Sequence, residues 1–330
     1  MTTATTKETT VSAPGKLFLI GEYAVLQGHP AVVAAVDRRV TGRFVPGAAP
    51  TTPLVQKVVE AVRAYLLDDG GTPPEGAPEL DSSALAAGTV KLGLGSSAAV
   101  AAAGVGAMLE AAGCDIQYTR GLAFTLARHA HFNFQDGVGS GADVAAAVYG
   151  GIIRYARRDD GVDVQPTALP DTVELIVFST GKPSQTVGHI AALQTFAARQ
   201  PGHYLERMKG ICAAADDFIR GCETADARSV VSAAALANAE LAALGEGMGL
   251  PIVTPALAEA ATLAEALGGA AKPSGAGGGD VGVAFLTDGG AAETFRQRAP
   301  HIGLEILSIR TGASGLRREP SARERNHVER

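Results

Sequence analysis

The sequence predicts a mixed α and β protein in two domains, on three observations. The chain has 330 residues and 46% apolar content, enough for a large core, and domains commonly run to about 100 to 200 residues. Runs rich in branched residues and bounded by turn formers, at Lys16–Ile20, Ala31–Val45 and Val173–Phe178, have the signature of strands. Apolar residues at helical spacing (Leu54, Val55, Val58, Val59, Val62, Tyr65, Leu66) lie between strands in the first half. Long helical stretches near 184–199, 203–222, 226–245 and 254–267 crowd the second.

Taken in order, residues 1–10 are a polar, Thr-rich leader expected to fray, with order beginning near Val11. Pro14 and Gly15 keep the entry out of helix, Gly21 and Glu22 turn the first strand, and the second carries Arg38 and Arg39. A loop at 46–53 precedes the first helix, which stops at Asp68-Asp69-Gly70-Gly71. Leu80–Leu85 is short enough for a strand leading into a glycine loop and an Ala/Val-rich helix with no charge before Glu110. Thr119 is placed to cap a helix reaching about Phe132, and Ser140 to start one across Ala142–Tyr149. Ile152–Tyr155, a charged turn at 157–161 and an edge strand complete a first domain, 11–170. A second, 171–316, adds strands at Val281–Leu286 and Leu304–Ile309 around a short helix at 291–298, and 317–330 has the composition of a disordered tail.

A net charge of −6 argues against nucleic-acid or anionic-membrane partners, which need a basic face, so an anionic substrate must be held by a few local cations. Cys114, Cys212 and Cys222 form neither a CxxC pair nor a Cys/His cluster, so neither a disulfide framework nor a zinc site is expected. The opening residues lack the apolar core of a signal peptide, and no run of about 18 apolar residues occurs. The expected location is cytoplasmic.

Gly93, Gly95, Ser96 and Ser97 run straight into the Ala-rich helix. Unpaired N–H groups and the positive end of the dipole make such a loop an anion site, although a Ser-capped buried helix after a turn has the same pattern. Phosphoryl transfer needs cations on the travelling charge and something to orient the nucleophile. No G-x-x-x-x-G-K-[ST] is present, so the cradle would be Lys91–Ser97. Lys91 either reaches a phosphate held there or is a solvated charge. Lys16, inside the apolar stretch APGKLFLIGEYAVL, must be paired or aimed at a ligand. Asp143 stands alone among small residues at a helix start, where the dipole favours a carboxylate. KPSGAGGGDVGVAF at 272–285 is too glycine-dense for core. FSTGKPSQTVGHI at 178–190 suits a second anion, with Lys182, Ser184 and Thr186 near a helix start.

Three of these stretches, APGKLFLIGEYAVL, KLGLGSSAAV and KPSGAGGGDVGVAF, together with QDGVGSGADVAAAVYGG, resemble the motifs of the GHMP kinase superfamily over Val11–Leu316. That superfamily holds the kinases of galactose, homoserine, mevalonate and phosphomevalonate, and the motif forms here are most similar to those of its phosphomevalonate kinases. The resemblance implies an α+β, two-domain fold, with a ribosomal-S5-like first domain and a ferredoxin-like second domain. It implies an ATP- and magnesium-dependent kinase whose acceptor is 5-phosphomevalonate, with mevalonate, homoserine or a sugar as the alternatives, or a silent nucleotide-binding paralogue.

By the same resemblance Lys16, Lys91 and Asp143 are catalytic, Asp143 as the base or as an orienting charge paired with Lys16. Lys91, Gly93, Leu94, Gly95, Ser96, Ser97 and Ala98 would bind the nucleotide, with Ser97 helping to hold magnesium. Lys16, Ser140, Gly141, Asp143, Lys182, Ser184, Thr186, Ser274, Gly275, Ala276, Gly277 and Asp280 would line the acceptor. One departure matters: mevalonate kinases carry a magnesium-binding Glu where this chain has Phe132.

Overall fold

The computed structural model describes residues 9–87, 90–159, 161–181 and 186–320. Two antiparallel sheets, each backed by its own helices, make two lobes. The first sheet has the order β12-β1-β2-β6-β7, with β3 also on β2. Its strands are β1 (Thr10–Ile20), β2 (Ala31–Pro46), β3 (Gly76–Asp81), β6 (Ile152–Arg158), β7 (Gly161–Thr167) and β12 (Arg317–Arg318). β4 (Ala86–Ala87) and β5 (Val90–Lys91) form a separate two-stranded ribbon. Against this sheet lie α1 (Pro53–Asp68), α2 (Ser96–Ala111), α3 (Arg120–Phe134) and α4 (Ala142–Tyr149).

α2 is the buried centre of this lobe. Its Ala, Gly and Val side chains are small enough to let the helix approach β1 and β2 while α1, α3 and α4 cover its other faces. Its first charge, Glu110, accepts from the Arg318 guanidinium at 2.5 Å and so ties the far end of the helix to β12.

The second sheet runs β11-β8-β10-β9, from β8 (Glu174–Ser179), β9 (Ala270–Pro273), β10 (Val281–Leu286) and β11 (Glu305–Ile306). It carries α5 (Thr186–Arg199), α6 (Pro201–Glu223), α7 (Ala227–Met248), α8 (Pro255–Ala266) and α9 (Gly289–Arg298). α6 and α7 pack as an antiparallel pair, and α7 and α8 lie on β9 and β10. Among the described residues no helix is long and apolar enough to cross a membrane.

Several sequence expectations are corrected. The strand expected at Leu80–Leu85 lies earlier, at Gly76–Asp81, and Ser83–Leu85 is a 3-10 turn. Of Leu304–Ile309 only Glu305–Ile306 is strand. Thr119 precedes α3 but makes no side-chain cap, since its hydroxyl donates to the Asp115 carbonyl at 2.9 Å. α2 begins after Gly95 without a serine cap.

The expected tail is a strap over 317–320. Val11 and Ser12 of β1 pair with Arg318 and Arg317, and before them Thr311 bridges Val36 and Ser314 bridges Gly150. Residues 311–316, assigned from sequence to the second domain, therefore lie on the first sheet. Arg39 fastens this strap by donating to the Ser314 carbonyl at 2.6 Å and the Gly315 carbonyl at 2.8 Å, and burial pulls its pKa down to about 10. Residues 321–330 lie outside the described residues.

Candidate active site

The site forms where the ends of β1, β8, β9 and β10 meet the N-termini of α2 and α4. Lys16 lies in β1 just beyond a register shift between Pro14 and Lys16, and only 8% of it is exposed. Its backbone N–H donates to the Leu94 carbonyl at 2.8 Å, which fixes the glycine turn to the strand. Its side chain runs along that turn. A Cβ on Gly95 would sit 2.8 Å from Lys16 Cγ and Cε, and Gly95 has φ +73°, so glycine is required there on both counts. The ammonium lies 5.1 Å from the centre of the Phe18 ring and 3.6 Å from where a Cβ on Gly275 would be.

Lys16 makes no direct ion pair among the described residues. Burial lowers its pKa, opposed first by the Asp143 charge, then by Glu22 and Asp280. Asp143 sits in the first turn of α4, half-buried, with Oδ1 accepting from the Val144 N–H at 3.0 Å. Gly141 is the N-cap in left-handed geometry, and the Ser140 hydroxyl accepts from the Ala142 N–H at 3.2 Å. The Ser140 carbonyl is held by the Tyr155 hydroxyl at 2.6 Å. This turn is thus fixed from both sides, with Asp143 projecting from it.

On the cradle side, Leu92 and Leu94 are buried and anchor the turn, while Gly93, Gly95, Ser96 and Ser97 are partly accessible and Ala98 is core. The Ser97 hydroxyl meets His131 Nε2 at 3.0 Å. Lys91 ends β5; its side chain, that of Thr186, and Lys182 and Ser184 altogether lie outside the described residues.

The 272–285 stretch closes the opposite side. Asp280 lies against the cradle, since a Cβ on Gly93 would be 2.7 Å from its Cβ. The Asp280 carbonyl accepts from the Thr180 N–H at 2.9 Å, which brings the end of β8 to the same place. Ser274, expected to meet a substrate oxygen, is 7% exposed and donates to the Phe18 carbonyl at 2.9 Å. The Ala276 carbonyl accepts from the Tyr23 hydroxyl at 2.6 Å, and the Gly275 N–H points to Glu22 Oε1 at 3.4 Å.

The sequence did not single out Tyr23, Glu22, Lys272, His131 or Arg128. Glu22 and Lys272 form a buried ion pair at 2.5 Å; the available signals were a lone carboxylate in the turn after an apolar strand and a lone lysine opening the glycine-rich stretch. His131 is 3% exposed, and a histidine on the inner face of a helix carries no signal that separates it from a core residue. Arg128 is half-buried beside Tyr155, its Cδ 3.1 Å from where a Cβ on Gly141 would lie, with no carboxylate contact among the described residues. Nor do those residues contain a cluster of three His, Cys, Asp or Glu side chains suited to a resident metal.

A lysine, a carboxylate at a helix start and an anion cradle, converging from three glycine-bearing segments, are the parts of a phosphotransferase. The chain belongs to the GHMP kinases: the family profiles "GHMP kinases N terminal domain" and "GHMP kinases C terminal" match residues 54–151 and 229–302. The phosphomevalonate kinase of Streptomyces sp. (strain CL190) is 32% identical to it, across 92% of this chain and 97% of that one. The mevalonate kinase of Aeropyrum pernix is 28% identical, across 84% and 88%. Among solved structures, Streptococcus pneumoniae phosphomevalonate kinase in complex with phosphomevalonate and AMPPNP superposes with a TM-score of 0.80 at 20% identity, over 92% of this chain and 99% of that one. The α+β fold is the two-domain GHMP kinase fold.

Proposed function

We propose that this chain transfers the γ-phosphoryl group of ATP to 5-phosphomevalonate, giving 5-diphosphomevalonate and ADP. The observation that carries this reading is the convergence on Lys16: the cradle turn packs along its stem, Gly275 faces its ammonium, and Asp143 is its leading opposite charge. The activity named for the Streptomyces relative supports the acceptor.

In this reading the N–H groups opening α2 hold the nucleotide phosphates, and Lys16 neutralises charge on the travelling phosphoryl. The bond from the γ-phosphorus to the β,γ-bridging oxygen breaks as an acceptor phosphate oxygen bonds to that phosphorus. A phosphate monoester has its second pKa at about 6, so that oxygen is already anionic at neutral pH. Asp143 then serves to orient Lys16 and the acceptor, not to remove a proton. Arg128, beside the Ser140–Asp143 turn, is a cation suited to the acceptor's own charge.

Magnesium belongs to this proposal as part of the substrate, carried on nucleotide phosphate oxygens and neutralising them. A hard cation that keeps its waters and phosphate ligands needs few protein oxygens, which fits the lack of a three-ligand cluster among the described residues. The Ser97 hydroxyl is the group we assign to it. A cytoplasmic location also belongs here, supported by three unpaired cysteines.

The Aeropyrum relative keeps mevalonate in view as the acceptor. An alcohol acceptor needs a base, and the position matching the metal-binding Glu of mevalonate kinases is Phe132, 42% exposed. ADP release measured on a panel of phosphomevalonate, mevalonate, homoserine and sugars tests the choice. Turnover of phosphomevalonate is expected. Turnover of mevalonate alone would overturn it, and ATP binding without turnover of any acceptor would point to a silent paralogue.

A further inference from the structure

Lys16 is not the only lysine buried at this site. Lys272, at the end of β9, has no exposed surface, and its ammonium donates to Glu22 Oε1 at 2.5 Å and to the Pro273 carbonyl at 2.7 Å. Glu22 is itself 3% exposed and comes from the turn after β1. One buried carboxylate therefore serves two ammonium groups, touching Lys272 and acting on Lys16 through space. The charges facing Lys16 are Asp143 from α4, Glu22 from the turn after β1, Asp280 from the loop entering β10, and Lys272 from β9.

Buried carboxylates seek the nearest cation, because an uncompensated charge in a low-dielectric interior is costly. Without Lys272, the remaining polar contact to Glu22 among the described residues is the Gly275 N–H at 3.4 Å, and Lys16 is the cation within its field. A contact pair between Glu22 and Lys16 would draw the ammonium away from Asp143 and spend its charge before any phosphoryl arrives.

We propose that Lys272 is a positioning residue for phosphoryl transfer: by holding Glu22 in a contact ion pair, it keeps that carboxylate off Lys16 and leaves the Lys16 ammonium free for Asp143 and the phosphoryl group. The inference rests on Lys16 being the cation that meets the phosphoryl. It also gives the two buried charges opposite roles: Glu22 competes for Lys16, and Lys272 removes the competitor.

The test compares Lys272→Met, Glu22→Gln and the double variant by ADP release across pH, by the dissociation constant for ATP, and by thermal unfolding. For Lys272→Met, kcat should fall by about tenfold or more while ATP affinity stays within about twofold. Its alkaline limb should move to higher pH, because Glu22 now stabilises the Lys16 ammonium. For Glu22→Gln the alkaline limb should move to lower pH, because a stabilising charge is gone and Lys272 repels unopposed. The double variant should recover most of the kcat lost in Lys272→Met.

Limbs that stay in place while every variant merely melts earlier would overturn the proposal, leaving the pair a support of the fold. A double variant no better than the product of the single effects would overturn it too. Should Lys272→Met fail to fold, the acid-side shift in Glu22→Gln and the recovered double variant decide alone, and the loss of either counts against it. Wild-type turnover of phosphomevalonate checks the functional reading separately, so the two failures are distinguishable.

Discussion

The two glycine-rich turns of the site do opposite jobs with the same residue. The turn at 93–97 feeds a helix: its glycines let the backbone hug the Lys16 stem, and the N–H groups of α2 point outward from it. The loop at 274–280 joins two strands, β9 and β10, and has no helix behind it. Its glycines fit the chain against Ile252, His189 and Lys16, and it is held by the Tyr23 hydroxyl donating to the Ala276 carbonyl and by its own Ser274 donating to the Phe18 carbonyl. The first turn offers charge and the second offers shape. Glycine content alone does not say which; the element that follows does.

The largest effects are expected where the two turns meet. Asp143→Ala and Lys16→Met should each lower kcat by about 100-fold or more, the scale of losing one preorganised electrostatic group, while ATP still binds. Unchanged turnover in either variant would remove that residue from the mechanism.

The glycines come next and separate the turns. Gly95→Ala meets Lys16 at 2.8 Å and should raise the KM for ATP about tenfold. Gly277→Ala, whose Cβ would lie 2.4 Å from Ile252 Cγ2 at φ +77°, should raise the acceptor KM instead by about tenfold. Equal effects of both variants on both substrates would erase the distinction.

pH gives a further test. Burial lowers the pKa of Lys16, and in the proposed mechanism the reactive form is the protonated one, present below that pKa and lost above it. Activity should therefore decline on the alkaline side before the ordinary lysine value of 10.5 is reached. A limb at or above that value would count against Lys16 as the cation. The smallest effect is expected for Tyr23→Phe, which removes one hydrogen bond to the Ala276 carbonyl. At about 1 kcal/mol the acceptor KM should rise about fivefold, with ATP affinity unmoved.

Much of the fold was legible because strand and helix periodicities were clean, as in β2, α1 and β10. The misplaced strand had a physical cause: Pro78 is a residue that ordinarily breaks a strand, but β3 pairs with β2 alone, and an edge strand tolerates a missing donor. The strap at 311–320 was illegible because its small residues at 311–315 carry no strand pattern and its charged residues at 317–319 suit a tail. It is held by partners hundreds of residues away, among them Arg39 and Glu110. At the site, spacing and residue type could single out Lys16 and Asp143, each a lone charge among apolar or small residues. Glu22 and Lys272 were hidden in plain view, since each was an isolated charge whose partner lies 250 positions distant.

The returning strap also decides how the lobes are joined. The chain leaves β7 to enter β8 at Glu174, and β11, antiparallel and adjacent to β8, carries it back from that same end towards Thr311. These two neighbouring tethers are not the only link, because α6 packs on β1 and β2 and one apolar core runs through both lobes. The loops at 179–181 and 274–280 stand at the opposite ends of these six-residue strands, about 20 Å away. At that far end the hydrogen bonds from Tyr23 to the Ala276 carbonyl and from Ser274 to the Phe18 carbonyl fasten the second lobe to the first, so the mouth is tied at the side away from the tethers.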